Sequence, residues 1–381
     1  MRALDEPLLD LEDRPAAGAL PDPARAVDRL VACTLLLLGV GVCLAGTTAP
    51  PGATLEALRR HAAHVLLGLA CLLLASRVPP GLLRRAAPGG YAVAVALLAL
   101  VLVPRFGVVE NHARRWFRLG ALSFQPSEFA KLAGIVFLAD LAARKGEGMR
   151  ELRSGFLPGF AGLLLPASLV LAEPDFGTAI YLLLVFTALL AVGGARIRHF
   201  VAALALAAPV FAVVAWSKFE HVRARLGTLA GRPTYQVEQS IVALGSGGVL
   251  GRGLGEGEMK RGFVPLGHND FVFAILGEET GLVGTLLVLG LFGATLHAGL
   301  RAAQGLRGDP FASLLVFGVV FAIGLQAAVN LAVVTGLAPP KGISLPFVSA
   351  GGTSIAVLAS GVGFAASAAR RSSPSPGSGG G

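Results

Sequence analysis

The stretch Gly267-His268-Asn269-Asp270-Phe271-Val272-Phe273 sets a carboxylate directly in front of an apolar run, and Glu278 and Glu279 follow inside that run. A carboxyl held partly out of water gains pKa and becomes a stronger base. On a regular helix the two glutamates lie roughly 12–14 Å beyond Asp270, too far to pair with it. Other charges gather in similar company. Arg114, Arg115 and Trp116 are consecutive, Glu128 and Lys131 are spaced i, i+3, and Glu173 and Asp175 flank Pro174. Lys341 follows two prolines. Guanidinium forks match pairs of phosphate oxygens, and an indole suits a lipid interface. Together these residues fit an anionic, lipid-linked, phosphorylated substrate. Each also has a plainer reading: solvated surface charge for the arginines, an interfacial anchor for Trp116, a structural ion pair for Glu128 and Lys131, and a polar seam between helices for Glu278 and Glu279.

The elements that must position these groups are membrane helices. The chain has 381 residues, 54% hydrophobic and 14% charged, with mean hydropathy +0.71. That excludes an ordinary soluble domain. Hydropathy predicts an all-α, polytopic membrane protein with about ten spans. They fall near 30–47, 60–77, 90–104, 127–143, 155–172, 177–195, 197–216, 271–299, 311–335 and 346–369. Basic residues mark one side of the bilayer: Arg77, Arg84 and Arg85; Arg144, Lys145, Arg150 and Arg153; Arg196 and Arg198; Arg301 and Arg307; Arg370 and Arg371. By the positive-inside rule that side is cytoplasmic, and both termini lie on it.

Residues 1–29 and 370–381 read as disordered cytoplasmic tails around a membrane domain at 30–369. Two outside loops, 105–126 and 217–270, are themselves basic. Cys33, Cys43 and Cys71 read as small apolar fillers, and His61 and His64 could share a helix face but lack a third metal ligand. The glycine-rich stretch around Gly245–Gly255 has the wrong spacing for a dinucleotide loop. From Asn330 to Ser354, prolines and glycines interrupt apolar sequence. Irregular backbone at membrane depth must be buried in protein or line a wet cavity, so this segment predicts a cavity open to the outside with Lys341 at its rim.

Six blocks resemble the SEDS family (shape, elongation, division and sporulation) in family order. They are ARRW, FQPSEFAKLA, EPDFGTA, YQVEQS with ALGSGG, DFVFAILGEE after His268, and VVTGL with KGISLPFVS and GGTS. The KGISLPF and FAILGEE blocks are closer to the division (FtsW-like) branch than to the elongation (RodA-like) branch. The sequence departs from the family pattern at His112, Leu266-Gly267, Asn269 and Ala350.

The resemblance implies an inverting glycosyltransferase that joins lipid II into glycan strands outside the bacterial cytoplasmic membrane, at the division septum. It implies a class B penicillin-binding protein as partner, and no nucleic acid. The family's essential acid maps onto Asp270. Arg114, Arg115 and Lys131 are the candidates for balancing diphosphate charge. Trp116, Glu128, Glu173, Gln239, His268, Lys341 and Ser349 complete the candidates for holding substrate. No resident cofactor is expected, and a divalent cation accompanying the diphosphate stays open. The competing readings are a lipid II flippase, since buried acids and broken helices also serve transport, and a silent scaffold for the transpeptidase.

Overall fold

The computed structural model describes residues 21–47, 54–110, 113–119, 122–205, 234–258 and 270–372. His112, His268, Asn269 and much of the second basic loop lie outside the described residues. The helices are α1 (Pro23–Thr47), α2 (Thr54–Arg77), α3 (Pro80–Leu102), α4 (Pro126–Lys145), α5 (Leu157–Ala172) and α6 (Phe176–Val192). After them come α7 (197–205), α8 (Tyr235–Ser246), α9 (Val272–Gly305), α10 (Pro310–Val334) and α11 (Gly352–Ser372). Among the described residues, seven helices are long and apolar enough to cross a membrane, and α6 is a shorter apolar helix. The other long helix, α4, carries five charged residues, and its Glu128, Lys131 and Asp140 are buried.

Helix ends follow local chemistry. The Asp22 carboxylate accepts from the N–H of Ala24 at 2.9 Å, which starts α1 at Pro23. Residues 23–29, expected in a tail, are therefore helical. At the other terminus Arg370 and Arg371, likewise expected in a tail, belong to α11. The last helix begins at Gly352 rather than near 346, because Phe347 takes a left-handed backbone (φ 63°) and the chain turns there. Asp309 and Asp175 cap α10 and α6 through the N–H groups of Ala312 and Thr178.

The ends that carry the basic markers meet at one end of the bundle. Arg370 pairs with Asp28 at 2.9 Å and Arg371 donates to the carbonyl of Arg77. Buried Asp140 accepts from Arg84 and Arg144. At the opposite end, the loop expected over 105–126 is a three-stranded antiparallel meander: β1 (Val108–Glu110), β2 (Ala113–Leu119) and β3 (Leu122–Phe124). The Thr353 hydroxyl ties α11 to it through the carbonyl of Ser123.

α9 is not one regular helix. Gly281 has φ 66° and ψ −162°, and breaks it directly behind Glu278 and Glu279. A break strands carbonyls and N–H groups, which hydrocarbon cannot satisfy. Segment 247–258 takes two of each: Arg252 and Gly253 donate to the carbonyls of Glu278 and Glu279, while Leu282 and Val283 donate to those of Gly248 and Val249. The Glu278 side chain accepts from the N–H of Glu258 at 3.0 Å and faces Arg252 at 3.5 Å. The two glutamates thus sit at a docking point for the loop, not midway down a continuous span. From Leu282 onward the helix rises roughly 36 Å, enough by itself to cross the hydrocarbon.

A side chain at Gly281 would run into the backbone of Val249 and Gly251 in a conformation only glycine adopts easily. Gly281→Ala is therefore expected to cost about 1–3 kcal/mol or more and to lower the thermal midpoint in detergent. An unchanged midpoint would show that the break is not required.

Candidate active site

Asp270 stands at the end of the bundle that carries the sheet, two residues before α9, and is partly buried. Its backbone carbonyl accepts from Asn330 Nδ2 at 2.8 Å, and the same nitrogen donates to the carbonyl of Ile343, also at 2.8 Å. Gly342 (φ 52°) brings the proline-rich loop so close that a Cβ there would lie 3.7 Å from Asp270 Oδ2. Burial pushes the Asp270 carboxyl up to about 6, against a smaller lowering by Arg115. Two units or so means the ionised form is on the order of 3 kcal/mol harder to hold than in water.

Arg115 reaches the site from β2 and binds Asp175 Oδ2 at 3.0 Å. Asp175 is fully engaged, since it also accepts from the N–H and hydroxyl of Thr178 at the start of α6. Lys341 packs on the same helix start: a Cβ on Gly177 would lie 3.1 Å from its Cβ and 3.3 Å from its Cδ. Glu173 is buried at the end of α5, and neither carboxyl oxygen has a hydrogen-bond partner among the described residues. Burial first, and Asp175 second, push it up to about 8 against the pull of Arg115. It is thus protonated at neutral pH, which relieves the crowding of two acids beside one guanidinium.

Several expected site residues are spent elsewhere. Arg114 and Arg115 are neighbours in β2 where its register to β1 shifts: Val109 pairs with Arg114 and Val108 with Trp116, which leaves Arg115 as an extra residue. Arg114 donates to the carbonyl of Leu102 at the end of α3, at 3.2 Å. The two arginines thus hold different partners, the carbonyl of Leu102 and the carboxylate of Asp175. Lys131, expected to balance diphosphate charge, is buried with Glu128 at 2.7 Å, Gln326 at 3.2 Å and the Tyr181 ring at 4.8 Å. That ion pair is enclosed by protein, beside a narrow cleft between α4, α6, α10 and α11 whose exposed wall is apolar. Ser349 accepts from the N–H of Leu345 at 2.8 Å and closes the turn of its own loop. Gln239 is half-buried on α8, next to Ser240, whose hydroxyl donates to the carbonyl of Val334. His268 lies outside the described residues.

Gln326 was not among the expected residues, and Asn330 entered the sequence reading only as the start of the broken segment. Gln326 Nε2 donates to the carbonyl of Ser344 at 2.9 Å while its oxygen accepts from Lys131. Two amides four apart in an otherwise apolar helix were the available signal. Among the described residues no group of three His, Cys, Asp or Glu could hold a metal ion.

The arrangement is a site for moving a proton beside an anion, at the edge of a polytopic helical membrane protein. A family model described as cell cycle protein, covering FtsW, RodA and SpoVE, matches residues 29–373. The chain belongs to this family, which is the SEDS family. It is 37% identical over 349 residues to a probable peptidoglycan glycosyltransferase FtsW of Thioalkalivibrio sulfidiphilus, covering 88% of this chain and 87% of that one. It is 37% identical over 286 residues to stage V sporulation protein E of Bacillus subtilis, covering 72% and 76%. Among solved structures it resembles a chain of a peptidoglycan synthase complex that coordinates polymerization and crosslinking, with TM-score 0.76, 28% identity, and 90% and 97% coverage. The rod shape determining protein RodA of Thermus thermophilus matches with TM-score 0.67, 28% identity, and 90% and 95% coverage.

The protonated Glu173 has a thermodynamic signature. Its folded-state value near 8 lies above the ordinary 4.5, so the protein loses stability as pH rises between those values and levels off above the higher one. Glu173→Gln copies the neutral acid and should be more stable than the parent at pH 7, with the difference fading near pH 4. Parallel melting curves for the two proteins across that range would contradict the assignment.

Proposed function

We propose that the protein is a peptidoglycan glycosyltransferase that polymerises lipid II at the outer face of the cytoplasmic membrane, in septal wall synthesis. The observation that carries this reading is Asp270: a partly buried carboxyl, backed by Arg115 and facing the loop of Lys341. Family membership supplies the substrate class, and the FtsW relatives supply the division role.

In this reading Asp270 accepts the proton from the 4-hydroxyl of the acceptor GlcNAc as its oxygen attacks the anomeric carbon of the donor strand. The bond from that carbon to phosphate breaks, and the prenyl diphosphate leaves with the electron pair. One displacement inverts an α-linked donor into a β-linked strand. Positive charge from Arg115 and Lys341 balances the anion that develops. We place both termini in the cytoplasm, ten spans between them, and the sheet and Asp270 outside. The partner is a class B penicillin-binding protein, a reading supported by the likeness to the synthase complex. Any divalent cation is taken to arrive on the substrate's diphosphate.

Purified protein, alone and with its cognate transpeptidase, should convert lipid II to glycan strands. Asp270→Asn keeps the size and loses the base, so turnover should fall about 10²–10⁴-fold with membrane insertion intact. Full activity in that variant would refute the role. Transbilayer movement of labelled lipid II without polymer would favour the transport reading instead. For the parent, kcat should rise tenfold per pH unit at low pH and level off above about 6, because only ionised Asp270 accepts a proton. A rate flat from pH 5 to 8 would contradict it.

A further inference from the structure

Asp270 directly precedes Phe271, Val272 and Phe273, which are buried in the core. Its main-chain carbonyl is held by one side-chain nitrogen. Asn330 Nδ2 carries two hydrogens, and each is directed at a different carbonyl: that of Asp270 and that of Ile343, both at 2.8 Å. A flipped amide would set an oxygen against two carbonyl oxygens, so only this orientation fits. Asn330 is buried in the apolar body of α10, and its own oxygen has no partner among the described residues. A core asparagine left half-satisfied is a net liability for stability, which sets it apart from ordinary packing.

One turn earlier, Gln326 grips the same loop at the carbonyl of Ser344 and reaches the Ser354 hydroxyl at the start of α11. Its oxygen is fixed in turn by Lys131, which is fixed by Glu128. Two amides, i and i+4 on α10, thus hold consecutive carbonyls of the loop that bears Lys341 and Gly342. Only the second amide also holds the residue that carries the carboxylate.

We infer that Asn330 is the positioning residue of the catalytic carboxylate: its amide locks the main chain at Asp270 to the Lys341 loop, so base and cation keep one fixed separation. By the same geometry the buried Lys131 acts through Gln326 as a positioning group and does not touch the diphosphate. The inference rests on Asp270 being the base, and deepens that reading. A displacement near 1 Å at a reacting centre can cost about 10²-fold.

The test is Asn330→Leu, which keeps the branched outline at a larger volume and removes the donors, measured in full-length protein with lipid II over pH 5 to 8. The expected result is a kcat lower by about 10²-fold, a KM within about threefold, and an acid limb displaced to lower pH. The displacement follows because a carboxylate released from its buried place regains water. A purely structural role would lower the yield of folded protein and leave the limb, and the kcat of the folded fraction, as in the parent; that result overturns the inference. So does a loss carried by KM alone. If Asn330→Leu is not recovered as a monodisperse protein, Asn330→Thr, which keeps one hydroxyl donor, carries the same test. It should then show an intermediate kcat and a smaller displacement of the limb, and parental values for both would overturn the inference. A parent that forms no polymer in the same assay would instead refute the function itself.

Discussion

The constraint on which the rest of the structure depends is the difficulty of keeping a carboxylate charge at the hydrocarbon edge. Asp270 is shielded enough for its ionisation to move toward neutrality, yet Arg115 lies close enough to keep the charged form within reach. Without the shielding the group would be an ordinary weak base. Without the cation, burial would hold the proton too tightly. The surroundings are arranged around that balance. Asp175 holds Arg115 and is itself fixed by the start of α6, while Glu173 takes up a proton and so does not compete. Three acids and one guanidinium fit together because one acid stays neutral.

Backbone is treated with the same strictness. Where α9 breaks at Gly281, two carbonyls and two N–H groups are met by segment 247–258. That segment therefore becomes part of the helix ladder just beyond the site. The nine residues from Val272 to Thr280 form a short, buried helical piece between Asp270 and that junction. The proline-rich loop after α10 is handled differently: its carbonyls go to the side-chain amides of Gln326 and Asn330, and its turn is closed by Ser349. Irregular chain here is met by named partners at the carbonyls of Ile343 and Ser344 and at the N–H of Leu345, as the scarcity of water demands.

Much of this was legible in the sequence. Among the described residues the expected apolar segments coincide largely with helices, since a helix that crosses lipid needs a long run of apolar residues. The six blocks named the family, and the basic markers expected to share a face do gather at one end of the bundle. What stayed hidden followed from local geometry that composition does not carry. Arg114 and Arg115 read as a pair until an irregular strand gave them different partners, and three arginines among seven residues masked the strand. Lys131 looked available because charge implies exposure in most proteins; here an anion, an amide and a ring absorb it. Gln326 and Asn330 were passed over because amides are weak signals beside acids and bases, although two of them on one face of an apolar helix cannot be idle. Gly281 gave no warning in a chain with 51 glycines.

The most direct measurement is a site-resolved titration of Asp270, the proposed base. Aspartate labelled with carbon-13 at the side-chain carboxyl, in protein reconstituted into nanodiscs, would give an Asp270 signal identified by its absence from the Asp270→Asn spectrum. The account predicts a midpoint near 6 that rises further when Arg115 is replaced by alanine, because a favourable cation is lost. A midpoint near 4, or one indifferent to Arg115, would contradict it.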